Sequence, residues 1–123
     1  MKTIAHQNSE LHYSPVYLSG LRPLLRIYLE QQAEKRAGNG FGLPLVQACS
    51  GKEVVCFSSV HISDTGCIVI RHFSKAGFDA TMIREEMEHR AQQELHHSFG
   101  EIQDTARMQR QINRLTQWLN NCN

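Results

Sequence analysis

Long apolar runs are missing from this 123-residue chain. No stretch approaches the roughly 20 consecutive apolar residues that a membrane-spanning helix needs, so a membrane role is not expected. The N-terminal residues also hold no apolar run after Lys2, which predicts that there is no secretory signal and that the protein is cytoplasmic. In that compartment the four cysteines are expected to be reduced thiols.

A strong charge of either sign is also missing. The 13 basic and 12 acidic residues leave a formal net charge of +1, which gives no strong overall field for attracting nucleic acid or membrane. With 41% hydrophobic residues, a chain of this length can bury a core as one domain. We predict a polar N-terminal arm over residues 1–19 and a single domain over residues 20–123.

Recognised metal-binding and catalytic spacings do not occur. The cysteines follow no Cys-x-x-Cys pattern of the kind found in zinc sites. Two Glu-x-x-His spacings are present, formed by Glu86 with His89 and by Glu94 with His97. Both lie on one predicted helix and cannot close round a single ion, whereas carboxylate-bridged metal bundles take such pairs from facing helices. We therefore predict no metal, no cofactor and no catalytic residue.

What the chain does contain is one dense run of strand-forming residues, over 53–73. Residues 54–62 and 67–73 are rich in β-branched and aromatic side chains and predict a hairpin. With Asp64 and Thr65 as its loop, Ile62 lies opposite Cys67 and Val60 lies opposite Val69. A third strand over residues 45–49 joins through a loop at 51–52, which places Val46 opposite Phe57 and Ala48 opposite Val55.

Alternation of side chains gives this predicted sheet two apolar faces. The face predicted to form the core carries Val54, Cys56, Val60, Ile62, Cys67, Val69 and Phe73. The second face carries Val55, Phe57, Ser59, His61, Ile68, Ile70 and His72, and it is too apolar to lie bare in water. Because the hairpin's thiols and imidazoles fall on different faces, a Cys–His nucleophilic pair within the hairpin is not expected.

Segments whose apolar residues recur at helical spacing lie before and after the predicted strands. Residues 20–36 are predicted to form a helix, with Leu21, Leu24, Leu25, Tyr28 and Leu29 on one face. Asp79 is predicted to cap a helix that reaches Ser98, and a last helix follows Gly100 with an apolar seam of Met108, Ile112, Leu115 and Leu119. The predicted fold class is therefore α+β, with an N-terminal helix, a three-stranded antiparallel meander and two C-terminal helices.

The leading functional hypothesis is a small, non-catalytic cytoplasmic binding protein that acts through protein–protein contacts, as a regulator, adaptor, chaperone or inhibitor. A homodimer is predicted because two apolar sheet faces exceed what one small monomer readily covers. The predicted partner-binding residues are Arg107, Arg110, Arg114, Phe57, Ile68 and Ile70.

Two alternatives stay open. The three arginines line one face of the last helix, where no acidic residue follows Asp104, so a nucleic-acid-binding regulator is the first alternative. A small thiol- or histidine-dependent enzyme is the second, because His6 or His12 in the N-terminal arm could still reach a thiol.

Overall fold

Four antiparallel strands lie side by side in chain order, and helices cover both faces of the sheet they form. The computed structural model describes residues 11–31, 41–100 and 105–121. Its elements are β1 (Leu11–Pro15), α1 (Leu21–Gln31), β2 (Leu43–Ser50), β3 (Glu53–Ile62), β4 (Ile68–Ser74), α2 (Arg84–Phe99) and α3 (Thr105–Asn121). Short 3₁₀ turns precede α1 at Leu18–Gly20 and α2 at Thr81–Ile83. The predicted α+β class is confirmed, and the predicted three-stranded sheet is wrong.

The additional strand is β1. It pairs with β2 from Leu11 opposite Ser50 to Pro15 opposite Val46, so the predicted irregular arm is wrong for this segment. β1 has only 5 residues and ends in a proline, which removes a backbone donor and weakens the strand signal in the sequence. Residues 1–10 of the predicted arm lie outside the described residues.

The turn between β3 and β4 sets the register of these two strands. Ser63 N–H donates to the Cys67 carbonyl oxygen at 2.8 Å, and Gly66 N–H donates to the Ser63 carbonyl oxygen at 2.9 Å. The loop thus holds Asp64, Thr65 and Gly66, and Gly66 adopts a φ of +85°, which glycine reaches without steric cost. Ile62 consequently lies opposite Ile68, one residue away from the predicted partner.

A shift of one residue exchanges the faces on which the side chains of a strand lie. Relative to β3, therefore, Ile70 shares a face with Val60, whereas Val69 shares a face with His61. The predicted composition of the two sheet faces is wrong for this reason. Val69, predicted to lie in the core, is 38% exposed.

A bulge changes the register between β2 and β3 as well. Their turn is as predicted, with a loop at 51–52 between the paired residues Ser50 and Glu53. Val55 then has no direct partner on β2, which is the signature of a β-bulge. Beyond it Ala48 lies opposite Cys56 and Val46 lies opposite Ser58, so the predicted pairings of these residues with Val55 and Phe57 are wrong.

Helices pack on opposite faces of the sheet. His72 of β4 is hydrogen bonded to Glu88 of α2, while the ring of the next residue, Phe73, lies 5.6 Å from that of Tyr28 in α1. We call these the α2 face and the α1 face. The C-terminal half of α3, with Leu115 and Leu119, packs in the same core cluster as α1. The chain's own helices therefore cover both apolar faces.

Aromatic rings form the centre of the α1 face. Phe57 stacks on Phe73 with ring centroids 5.0 Å apart, and the Phe41 ring lies 5.6 Å from that of Phe57. Tyr28 of α1 meets the Phe41 ring edge-on. Contacts of this geometry stabilise a core beyond the apolar area that they bury. Phe57, at 0% exposure, lies at the middle of this core.

The predicted helical faces are confirmed except at Leu29, which is half-buried. Ile27, which was not predicted to lie on this face, is buried. Leu21, Leu24, Leu25 and Tyr28 are buried in α1, whose first turn contains Pro23, and the apolar seam of α3 is buried. The predicted end of the first helix, residues 32–36, lies outside the described residues. The Asp79 carboxylate accepts the Thr81 N–H at 3.0 Å, but the predicted capping of α2 by Asp79 is wrong, because the N-cap residue of α2 is Ile83. No helix in the described ranges is long and apolar enough to cross a bilayer.

The register of β4 can be tested by placing a charge at either of two adjacent positions. Val69→Asp should lower the free energy of unfolding by about 1 kcal/mol at most, because the side chain is exposed and mainly strand propensity is lost. Ile70→Asp should lower it by about 2 kcal/mol or more, because it puts a charge among apolar side chains under α2. Urea denaturation followed by circular dichroism measures both. A larger loss for Val69→Asp would contradict this register.

Candidate functional site

The outer edge of β4 is one of the two edges of the sheet. β4 is the last strand, and no segment within the described ranges pairs with its outer side. The bonds from Ser63 N–H to Cys67 and from Lys75 N–H to Val55 fix which residues of β4 bond to β3, because bonded and non-bonded pairs alternate in an antiparallel ladder. The odd-numbered residues of β4 bond to β3.

The even-numbered residues of β4 therefore direct their backbone N–H and C=O groups away from the sheet. At Ser74 the outward carbonyl accepts a hydrogen bond from the Gln31 side chain at the end of α1. The outward groups of Ile68, Ile70 and His72 have no backbone partner in the described part of the chain. They form an open hydrogen-bonding edge.

A groove runs beside this edge, between β4 and α2. Three cavities of about 180, 530 and 500 Å³ lie along it. Neighbouring cavities share lining residues, so they form one continuous depression. We call it the β4–α2 groove. Its main lining residues are Ile68, Ile70, His72 and Ser74 from β4, and Arg84, Glu88, Gln92, Leu95 and His96 from α2.

The chemistry of the groove changes along its length. At the end near Ile68, the Leu95 side chain and the two isoleucines of β4 line the groove together with Glu88, Gln92 and His96. At the end near Ser74, the lining includes the Thr81 hydroxyl and the Arg84 side chain. The groove therefore offers apolar contacts at one end and hydrogen-bond donors at the other.

A chain of hydrogen bonds crosses the middle of the groove. Ser58 Oγ lies 2.6 Å from His72 Nδ1, and His72 Nε2 lies 2.9 Å from Glu88 Oε1. An ionised carboxylate can only accept, so His72 Nε2–H donates to Glu88, and His72 Nδ1 shares a hydrogen bond with the Ser58 hydroxyl. Glu88 also accepts a hydrogen bond from Gln92 Nε2 at 2.7 Å. This chain fixes the His72 ring and holds α2 against the sheet.

Glu88 titrates differently from an exposed glutamate. Burial raises its pKa, but hydrogen bonds from Gln92 and His72 and the charge interaction with His72 outweigh burial, and the net pKa is lowered. The charged carboxylate is therefore favoured in the folded protein relative to the unfolded chain.

The Ser58 hydroxyl and the Cys56 thiol, which lie beneath the groove, are poorly placed to act as nucleophiles. Ser58, His72 and Glu88 are the residue types of a hydrolase triad, but Ser58 has 0% exposure, so a substrate cannot reach its hydroxyl unless the strands move. Burial raises the pKa of Cys56 to about 11, so this residue is a protonated thiol at neutral pH rather than a nucleophilic thiolate.

The structure corrects the predicted separation of thiols and imidazoles. Cys56 and His72 lie on the same face of the sheet and line the same cavity. Cys67, predicted to be buried, is exposed at the β3–β4 turn. His12 of β1 lies opposite Cys49 of β2, where burial raises the pKa of that thiol. These three cysteines are free thiols.

The six predicted partner-binding residues occupy three places. Ile68 and Ile70 lie together in the β4–α2 groove. Phe57 is a core residue under α1. The three arginines lie on the exposed side of α3, where the Arg107 guanidinium is 5.8 Å from the centre of the Phe99 ring. The structure therefore groups the two isoleucines in one place and the three arginines in another, with Phe57 apart from both.

The α2 wall of the groove was not predicted from the sequence. A row of polar residues lies beside the apolar stripe of α2 and recurs every four residues, at Arg84, Glu88 and Gln92. This row was the feature of the sequence from which the wall could have been predicted. Among the described residues, no group of three or more His, Cys, Asp or Glu side chains could hold a metal ion.

Comparisons with known proteins identify no relative of this chain. The sequence matches no protein-family model, no curated protein and no solved structure.

Glu88→Gln tests the contribution of the hydrogen-bond chain. The folded pKa of Glu88 lies below its ordinary value of 4.5, so its charged form stabilises the protein above that pH, and the contribution is lost as pH falls through the folded pKa. The variant should be less stable than wild type at pH 7, and the difference should shrink below about pH 4.5. Urea midpoints at several pH values measure this. A pH-independent difference would contradict the assignment.

Proposed function

We propose that this protein binds an extended segment of another protein, which adds to β4 as a further strand of the sheet. The observation that supports it is the open backbone edge at Ile68, Ile70 and His72 beside the β4–α2 groove. In strand addition, main-chain hydrogen bonds supply affinity, and the contacts of alternate side chains supply specificity.

The two edges of the sheet differ in protection. Proteins commonly block exposed edges with proline, lysine, bulges or very short strands, because an open edge invites pairing with another chain. β1 is short and ends in Pro15. β4 has 7 residues and contains no proline or lysine, although Arg71 places one charge on it, and its pairing with β3 has no bulge. A less protected edge of this length suits a strand-binding site.

The contacts available at this edge define the class of segment. Side chains of an added strand alternate between the two faces of the sheet. Those on the α2 face enter the groove beside Ile68, Ile70 and Leu95, whereas those on the α1 face lie next to the exposed Val69 and to Arg71. A segment with an apolar residue at every second position fits this arrangement.

The proposed role is non-catalytic, that of a regulator, adaptor, chaperone or inhibitor that holds its partner by this edge. We also propose that it acts in the cytoplasm, which agrees with the free thiols of Cys49, Cys56 and Cys67.

A second copy of the chain is the competing occupant of the edge. The homodimer was predicted because two apolar sheet faces were expected to exceed what one small monomer covers, whereas the chain's own helices pack on both faces. We therefore assign the edge to a different protein. Sedimentation velocity at micromolar concentration should give a monomer, and a dimer that is lost on blocking β4 would assign the edge to a second copy instead.

Ile70→Pro tests strand addition directly. The outward N–H of Ile70 makes no bond to β3, so proline at this edge position removes a donor for the added strand without breaking the ladder. The matched control is Ile70→Ala, which also truncates the side chain but keeps the N–H. The probe is a fluorescein-labelled, end-capped heptapeptide of alternating valine and threonine, and its binding is measured by fluorescence anisotropy.

We expect the proline variant to bind the peptide about tenfold more weakly than the alanine variant, which corresponds to about 1.4 kcal/mol. The two variants should differ in unfolding free energy by no more than about 1 kcal/mol, since neither breaks a bond to β3. Equal binding by both variants, or no binding by wild type, would contradict the proposal.

A second candidate function rests on the exposed side of α3. Trp118, at 44% exposure, follows Arg114 by four positions and so lies on the same side of the helix as the arginines. Arginines that contact phosphates, combined with an aromatic ring on which a base can stack, are how single-stranded nucleic acids are held. This combination makes single-stranded nucleic acid the alternative ligand, with α3 as its binding surface.

The two functions are separated by changing Arg107, Arg110 and Arg114 together to glutamine, which nearly preserves helix propensity. If the arginines contact single-stranded nucleic acid, wild type should bind a labelled oligonucleotide, and the log–log salt slope should fall by about 0.7 per lost contact in the variant. We expect instead that both proteins bind the oligonucleotide equally weakly. Tight, salt-dependent binding that the variant loses would establish the second function.

A further inference from the structure

We infer that the segment bound along β4 carries an acidic side chain, which enters the cavity at the Ser74 end of the β4–α2 groove and pairs with Arg84. This inference depends on the proposed strand addition and specifies the chemistry of the segment. It assigns a requirement for negative charge to one position along a groove that is otherwise partly apolar.

The cavity at this end has the size and lining for a small anionic group. Its volume is about 180 Å³, and it is lined by Cys56, His72, Ser74, Ala80, Thr81, Arg84 and Met87. The lining includes a guanidinium and two hydroxyls, and it contains no carboxylate. The Thr81 hydroxyl is already hydrogen bonded to the neighbouring Asp79 and the Ser74 hydroxyl to Cys56. The guanidinium of Arg84 is therefore the donor group that suits a carboxylate, which only accepts hydrogen bonds.

Arg84 is available for such a pair. In the described part of the chain it forms no ion pair, whereas Arg90, on the same helix, is held by Glu86. Its charge also reaches the cavity: burial raises the pKa of Cys56, and the positive charge of Arg84 acts in the opposite direction. A guanidinium can bind a carboxylate through two parallel hydrogen bonds, which adds geometric selectivity to the charge attraction.

The acidic residues nearby restrict where a negative charge fits. Glu85 lines the adjacent cavity of about 530 Å³, and Glu88 lies further along the groove. A carboxylate placed over the middle of β4 would therefore face like charge. Only a carboxylate at the Ser74 end meets Arg84 without a carboxylate in the same cavity lining. The groove should accordingly prefer an acidic residue near one terminus of the bound segment, at its N-terminal end if the segment runs antiparallel to β4.

The experiment uses end-capped heptapeptides of alternating valine and threonine in which glutamate, or glutamine as its neutral match, replaces each position in turn. Binding of every peptide is measured by fluorescence anisotropy to wild type, Arg84→Gln and Arg84→Lys. Arg22→Gln is the control variant, because Arg22 is an exposed arginine on α1, on the other side of the sheet. Circular dichroism confirms that each variant is folded.

At one terminal position the glutamate peptide should bind wild type about tenfold more tightly than its glutamine match, as expected for a charge-assisted hydrogen bond. Arg84→Gln should lose this preference while still binding the glutamine peptide, Arg84→Lys should retain part of it, and Arg22→Gln should retain all of it. Equal binding of glutamate and glutamine at every position, or a preference that survives Arg84→Gln, overturns the inference and leaves strand addition standing. If no peptide of the series binds, both are overturned.

Discussion

The register of β3 against β4 is the constraint on which the rest of this structure depends. It is fixed by a three-residue loop in which Gly66 occupies the left-handed region, at a φ of +85°. Because side chains alternate along a strand, this register decides that Phe73 joins Phe57 under α1 and that His72 joins Ser58 under α2. With a loop one residue shorter, His72 would lie opposite Phe57 instead, and neither the aromatic core nor the Ser58–His72 hydrogen bond could form as it does.

The same register creates the candidate site. The alternation that bonds the odd-numbered residues of β4 to β3 leaves the even-numbered amides facing outward, next to the groove that α2 forms with the strand. The hydrogen bonds from Ser58 through His72 to Glu88 hold α2 at this distance from the sheet. The site combines an open backbone edge and a partly apolar groove with a hydroxyl and a thiol beneath them that are respectively inaccessible and protonated.

The parts of the fold that the sequence predicted are those governed by local periodicity. The buried stripe of α1 and the seam of α3 follow helical spacing, and the hairpin strands follow their β-branched residues. The errors occur where one residue changes the outcome. The prediction left Gly66 outside the loop, and this error shifted the predicted register of β4 by one residue. The bulge at Val55 shifted the register of β2 and was not predicted, because nothing in local composition distinguishes a bulge residue from its neighbours. β1 was missed because a five-residue strand ending in Pro15 carries almost no signal before its pairing with β2 is known. The groove was only half predicted: Ile68 and Ile70 were identified, but the wall formed by Arg84, Glu88 and Gln92 depends on where α2 packs in three dimensions.

Amide hydrogen exchange along β4, measured by NMR, is the most direct test of the central claim that register creates an open binding edge. In the free protein, the amides of Val69, Arg71 and Phe73 should be protected by their bonds to β3, and those of Ile70 and His72 should exchange much faster. Adding the alternating valine–threonine peptide should slow exchange at Ile70 and His72 and leave the other three unchanged. Protection of Ile70 and His72 in the free protein, with fast exchange at Val69 and Arg71, would contradict both the register and the proposed edge.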